Sequence, residues 1–121
     1  MKLAGQYAAL LLLGRDLAHR AHWRTRSYAQ HMALAAFYEG IVGLADSFVE
    51  AYQGRYNELL EVPLIDNDFE GEIADVLEQQ MAWIEDNRKK ICEREESALH
   101  NLIDESVALY QTTMYKLRFL E

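Results

Sequence analysis

Proline occurs once in the 121 residues, at Pro63, and cysteine once, at Cys92. With only six glycines as well, the chain has the composition of a mostly helical globular protein. It is neither disordered nor stapled by disulfides, because half of its residues are hydrophobic and a lone cysteine has no internal partner. A reducing compartment is therefore the default. Positive charge is scarce: 12 Lys and Arg stand against 20 Asp and Glu, a net charge of -8. Nucleic-acid binding by phosphate neutralisation needs clustered Lys and Arg, so it is not expected here. Cations are better suited, since an acidic surface raises their local concentration. Long apolar runs are missing too. The stretch Ala8 to Leu13 is ended by Arg15 and Asp16, far short of the ~20 residues that span a bilayer. Ala18 and Ala21 are three apart, so no small-x-small cleavage site follows. The chain reads as soluble and cytoplasmic, with no membrane contact.

What is present is helical periodicity over a single domain, 1–121. A first helix is expected over 2–23 on Leu3, Tyr7, Leu10, Leu11, Gly14, Leu17, Ala18 and Ala21. Its run Leu10 to Leu13 is apolar most of the way round, as in a helix that also meets a partner subunit. After a short turn, Ser27 is the expected N-cap of a second helix reaching Gln53, with Gly54 as its stop. Its main stripe is Tyr28, Met32, Ala35, Tyr38, Val42, Ala45, Val49 and Tyr52, widened by Leu34, Phe37, Ile41, Leu44 and Phe48. The strip left over holds His31, Glu39, Gly43, Asp46 and Glu50. Residues 54–69 form a long connection, with a helical turn expected over Asn57 to Val62. A third helix follows over 70–92 on Ile73, Val76, Leu77, Gln80, Met81, Ile84 and Ile91. A fourth, over 95–120 with Ser97 as cap, lies on Leu99, Leu102, Ile103, Ser106, Val107, Tyr110, Met114 and Leu117. A long middle connection joins helices that run the same way, whereas short turns join antiparallel neighbours. The expected fold is all-α: a ferritin-like four-helix bundle with a long crossover between its second and third helices.

The chemistry sits at the two ends of the second helix. Asp46 and Glu50, four apart, point the same way from it. Alone, such a pair is usually solvated surface. His31 lies fifteen residues earlier, which is ~22 Å along the axis at ~1.5 Å per residue. One ion cannot be held by both ends of one chain, since a ligand atom sits within ~2.3 Å of its metal. A two-fold partner can close the gap. With two copies of the helix packed antiparallel, His31 of one lies beside Asp46 and Glu50 of the other. Gly40 and Gly43 fall at the crossing, where the lack of a side chain allows close approach. The short turn brings His22 near His31, with His19 one helical turn earlier as a weaker candidate. Imidazoles with carboxylates suit divalent iron, zinc or manganese.

His22-Trp23, His31, Asp46 and Glu50 resemble the ferroxidase signature of the Dps-type mini-ferritins (DNA-binding proteins from starved cells). The resemblance covers residues 17–54 well and the remainder only as four-helix architecture. It implies an iron-binding homo-oligomer assembled through a two-fold contact of the second helix. Fe(II), as one ion or two, with zinc as a possible substitute, would be held and oxidised by His22, His31, Asp46 and Glu50 at an intersubunit site. Peroxide or dioxygen would be the oxidant, and iron storage or detoxification the outcome. Three features depart from the family pattern. The segment between Trp23 and His31 is about three residues shorter than usual. A further family acid falls on Ala35, for which Glu39 one turn on is a weaker substitute. The lysine-rich tail used on DNA is absent. The chain is short for the family, as compact phage-encoded relatives can be.

The Glu-x-x-His motif of an intrabundle ferritin site does not occur; Glu96 and His100 are four apart. Trp83 reads as core packing, and Tyr28, Tyr38 and Tyr52 as interface or core aromatics. Trp23 reads equally as interface packing or as a redox-active neighbour of the metal. Cys92 reads as a bland, partly buried thiol. Two rivals remain beside iron oxidation: an assembly protein of this fold with a structural metal clip, and a metal-free interaction module, such as a phage accessory protein, whose histidines and acids pair across a dimer.

Overall fold

The computed structural model describes residues 2–121, which form four α-helices and no strand: α1 (Leu3–Arg24), α2 (Tyr28–Tyr56), α3 (Ile73–Ile91) and α4 (Ser97–Phe119). α1 packs on α2 and α3, and α4 packs on the same two, so α1 faces α4 across one diagonal and α2 faces α3 across the other. The connection from α2 to α3 fixes the directions. It leaves α2 beside the start of α1, where Glu58 pairs with Lys2. There Gly5 lies so close to the Glu61 carbonyl that no Cβ would fit. It then runs along α1, with Pro63 and Ile65 near Ala9 and Leu13. It arrives at Glu72 and Ile73 beside Ala21, Arg24 and Gln30. α3 therefore starts where α2 starts and runs parallel to it, and α4 returns antiparallel. The four-helix bundle with one long crossover is as the spacing predicts.

Each helix buries one face. Tyr7 meets Phe48 edge-on at 4.7 Å between ring centres, and Phe37 meets Tyr110 at 5.0 Å. Rings in this geometry place a positive edge on a negative face. Polar groups inside are mostly paired. Ser106 donates to the Ile103 carbonyl at 2.7 Å, so its oxygen accepts the Tyr7 hydroxyl, also at 2.7 Å. Tyr110 donates to Gln80 Oε1 at 2.7 Å. Burial raises both tyrosine hydroxyls above their ordinary range. Gly14 makes room for this pair, because a Cβ there would sit 3.0 Å from the Tyr110 hydroxyl and closer still to Gln80 Oε1. Gln80 Nε2, also buried, has no partner among the described residues.

At the α3–α4 turn, His100 Nε2 donates to the carbonyls of Cys92 and Glu93 at 3.2 and 3.1 Å. Those are orphan carbonyls at the end of α3, so His100 caps it. Its Nδ1 faces the Arg88 guanidinium at 3.4 Å, and Arg88 also reaches Asp104 at 2.5 Å. Cys92 is buried there, and loss of hydration pushes its thiol up to about 11. As a nucleophile it is inert at neutral pH.

Several expected boundaries move. α2 does not stop at Gly54 but continues to Tyr56, where Asn57 takes the left-handed conformation at φ 53°. Asn needs no glycine-like freedom there, since its short side chain tolerates that region. No helix forms over Asn57 to Val62; a turn and bend at 57–58 lead into irregular backbone along α1. α3 starts at Ile73 rather than 70, because Gly71 at φ 111° breaks the chain direction just before it. Ser97 is the first helical residue of α4, not its cap. Ser27 does cap α2, accepting from the Gln30 amide at 3.2 Å.

The α2 stripe also turns. Its buried face is Ala33, Leu34, Phe37, Ile41, Ala45, Phe48 and Tyr52, so four of the five widening residues are core while only Ala45 and Tyr52 of the main stripe are. Tyr28 and Met32, expected inside, are 76% and 50% exposed. α2 is long and apolar enough to cross a bilayer by composition alone, with a mean hydropathy of 1.4 in its most apolar window. Its two faces give the other explanation: one is bundle core, and the opposite one carries exposed Glu39, Asp46 and Glu50.

Candidate functional site

The α1–α2 turn is closed by two histidines that bind each other's backbone. His22 Nδ1 lies 2.7 Å from the His31 carbonyl, and His31 Nδ1 lies 2.9 Å from the His22 carbonyl. A carbonyl only accepts, so both Nδ1 atoms carry the proton. In the neutral ring that leaves the lone pair on Nε2. Neither Nε2 has a hydrogen-bond partner among the described residues. A backbone carbonyl fixing Nδ1–H is also the usual support of a metal-ligating histidine. The two rings stack at 3.6 Å with an angle of 20° between their planes.

His19, one turn before His22, is occupied differently. It lies flat on Tyr38 at 4.0 Å and 13°, and 4.4 Å from Trp23. Tyr38 also meets His22 edge-on at 5.3 Å, so it is the platform for both α1 histidines. The sequence places Tyr38 in the apolar stripe of α2 and hides this role, which depends on how α1 docks. Trp23 stands outside the stack on its solvent side, 69% exposed.

Asp46 and Glu50 are far from these rings, one turn apart on the exposed face of α2. They border a shallow hollow with Leu12, Val49 and Val62. Neither is in an ion pair among the described residues. Glu39 is exposed between the two ends of the helix and touches neither group. Within one chain, then, the structure joins His22 with His31 and keeps both from Asp46 and Glu50. No group of three or more His, Cys, Asp or Glu side chains converges on a point among the described residues.

Between the two ends, α2 exposes Ala36, Glu39, Gly40 and Gly43. Gly40 has a reason inside the chain: a Cβ there would press on Leu109 at 3.2 Å. Gly43 has none, since a Cβ there would meet nothing within 4 Å. A glycine in an exposed helix interior costs about 1 kcal/mol relative to alanine.

Residues 22–117, from the first of these histidines to the last turn of α4, match the family described as "Family of unknown function (DUF5856)". The chain belongs to that family. The DUF5856 match takes in His22, His31, Asp46 and Glu50 together. The chain is also similar to the "Uncharacterized 14.6 kDa protein in mobD-ri intergenic region" of Enterobacteria phage T4, 37% identical over 51 residues. That stretch is 42% of this chain and 40% of the phage protein, so less than half of either is aligned. No solved structure matches the chain.

Proposed function

We propose that this chain is a compact relative of the Dps-type mini-ferritins, which binds Fe(II) between two-fold-related copies and oxidises it. The observation that carries this reading is the paired histidine arrangement at the α1–α2 turn. Both imidazoles are held in the tautomer that leaves Nε2 as a donor of its lone pair, and both Nε2 atoms are unused among the described residues. The free carboxylates of Asp46 and Glu50 supply the remaining oxygen ligands from a second copy. The bundle connectivity supports the same reading, because one long crossover between parallel helices is the ferritin-like arrangement. Gly43 supports the two-fold contact, since its missing side chain serves nothing within the chain. The phage T4 relative suits a phage-encoded branch, acting in the cytoplasm.

The stacked rings favour two irons over one in this reading. An imidazole donates in its own plane, and planes 20° apart at 3.6 Å cannot both aim at one ion. Each histidine would serve its own Fe(II) through Nε2, and Asp46 and Glu50 of a second copy would supply oxygen ligands. Peroxide or dioxygen would accept the electrons. The protein contributes open coordination positions, a negative field that gathers cations, and ligands already oriented.

A second reading rests on the same histidines. Each satisfies the other's backbone carbonyl, which is a complete structural task without any metal. The chain would then be an interaction module whose histidine pair latches α1 to α2, with His31→Ala loosening the fold rather than the chemistry.

Anaerobic titration with Fe(II), followed by peroxide, separates the two. Saturation at about two ions per chain, as two di-iron sites per two-fold dimer require, and ferric absorbance that is lost in Glu50→Ala would support the ferroxidase. Oxidation no faster than in buffer would sink it and leave the latch.

A further inference from the structure

We infer that the hollow beneath the crossover is a binding site for a small organic cation, separate from the histidine and carboxylate ends of α2. The crossover is tight on α1 at Gly5 and Glu61, but farther along, over Pro63 to Phe69, it leaves a cleft of about 570 Å³ between itself, α1 and α3. That volume lies within the range of ligand pockets, ~300–1,000 Å³. Its walls include Leu10 of α1, Ile65 and Phe69 of the crossover, and Trp83 of α3. Two carboxylates, Asp66 and Asp68, stand at its edge, and no Lys, Arg or His lines it.

The chemistry of this lining selects for charge and shape together. Aromatic rings attract a cation through their negative faces, most strongly when water is excluded. The carboxylates add a charge term, and neither is neutralised by an ion pair among the described residues. An apolar cation fits: a quaternary ammonium, with methyl groups against the rings and charge toward Asp66 and Asp68. A metal ion does not, because a largely apolar wall cannot replace its hydration shell. Trp83 packs against the core and, being only half-buried, also forms part of the cleft wall.

The chain has two tryptophans, so Trp23→Phe leaves Trp83 as the single reporter. The probe is choline, titrated into that variant while Trp83 emission is followed, beside its neutral isostere 3,3-dimethylbutanol. A saturable change is expected with choline near a Kd on the order of 1 mM or below, and at least about tenfold weaker for the uncharged isostere. Asp66→Asn with Asp68→Asn should weaken choline by about tenfold and leave the isostere unchanged. Circular dichroism of the variants checks that the bundle is intact. Equal binding of choline and the isostere would overturn the inference, as would no saturable change with choline. Fe(II) oxidation is not read in this experiment, so either outcome is independent of the ferroxidase reading.

Discussion

Gln80 and Tyr110 show how far one side chain can be interpreted alone. Gln80 is fully buried, its oxygen takes the Tyr110 hydroxyl, and its nitrogen has no partner among the described residues. Tyr110→Phe would leave both ends of the amide unpaired, at a cost of about 1–3 kcal/mol. Adding Gln80→Met removes the stranded amide, so the double variant should recover most of that loss in urea unfolding. Strict additivity of the two single changes would show that the hydrogen bond couples nothing. The pair is half legible in the sequence. A glutamine inside the apolar stripe of α3 signals a buried polar partner, but which residue faces it depends on how α3 meets α4. The histidines behave likewise: the shortness of their turn places His22 and His31 together, whereas the exchange of carbonyl bonds needs coordinates.

At the scale of the element, the glycines separate contact from conformation. Gly5 lies against the Glu61 backbone, which no rotamer change can move aside. Gly5→Ala should displace the crossover and cost about 1–3 kcal/mol. Gly54 sits in the last turns of α2 with nothing near it, so Gly54→Ala should stabilise by about 0.5–1 kcal/mol through helix propensity. Thermal melts of the two variants should therefore shift in opposite directions; a shift of the same sign in both would refute the tight seam at Gly5. Periodicity locates every helix, because an apolar residue each three or four positions demands it. The ends escape it where local chemistry lacks a strong signal, as at Gly54, or where Gly71 interrupts a continuous pattern.

For the molecule as a whole, the intersubunit iron reading depends on assembly through α2. α2 presents Tyr28 and Met32 at one end, open Gly43 near its middle, and Asp46 and Glu50 beyond. Gly43→Arg adds a good helix former where the chain offers no obstacle, so the fold should be unharmed. A helix face packed on its symmetry mate could not accept that side chain. Sedimentation velocity should find the parent chain as a dimer or larger and Gly43→Arg as a monomer of unchanged helical content. A parent chain that is monomeric at tens of micromolar, or a variant that assembles equally, would remove the two-fold contact and with it the intersubunit iron site.

By itself the sequence determined the number of helices, their faces in α1, α3 and α4, the long crossover, and the ~22 Å that keeps His31 from Asp46 within one chain. These follow from local rules: period, rise per residue and loop length. Only the tertiary structure decided which half of the broad α2 stripe is core, since a helix apolar over more than half its circumference has no preferred face until its neighbours choose one. It alone placed Trp83 in the wall of a cleft, set Tyr38 beneath His19, and left Gln80 Nε2 without a partner among the described residues. Each of these is a relation between segments distant in the chain, fixed by packing rather than by local spacing.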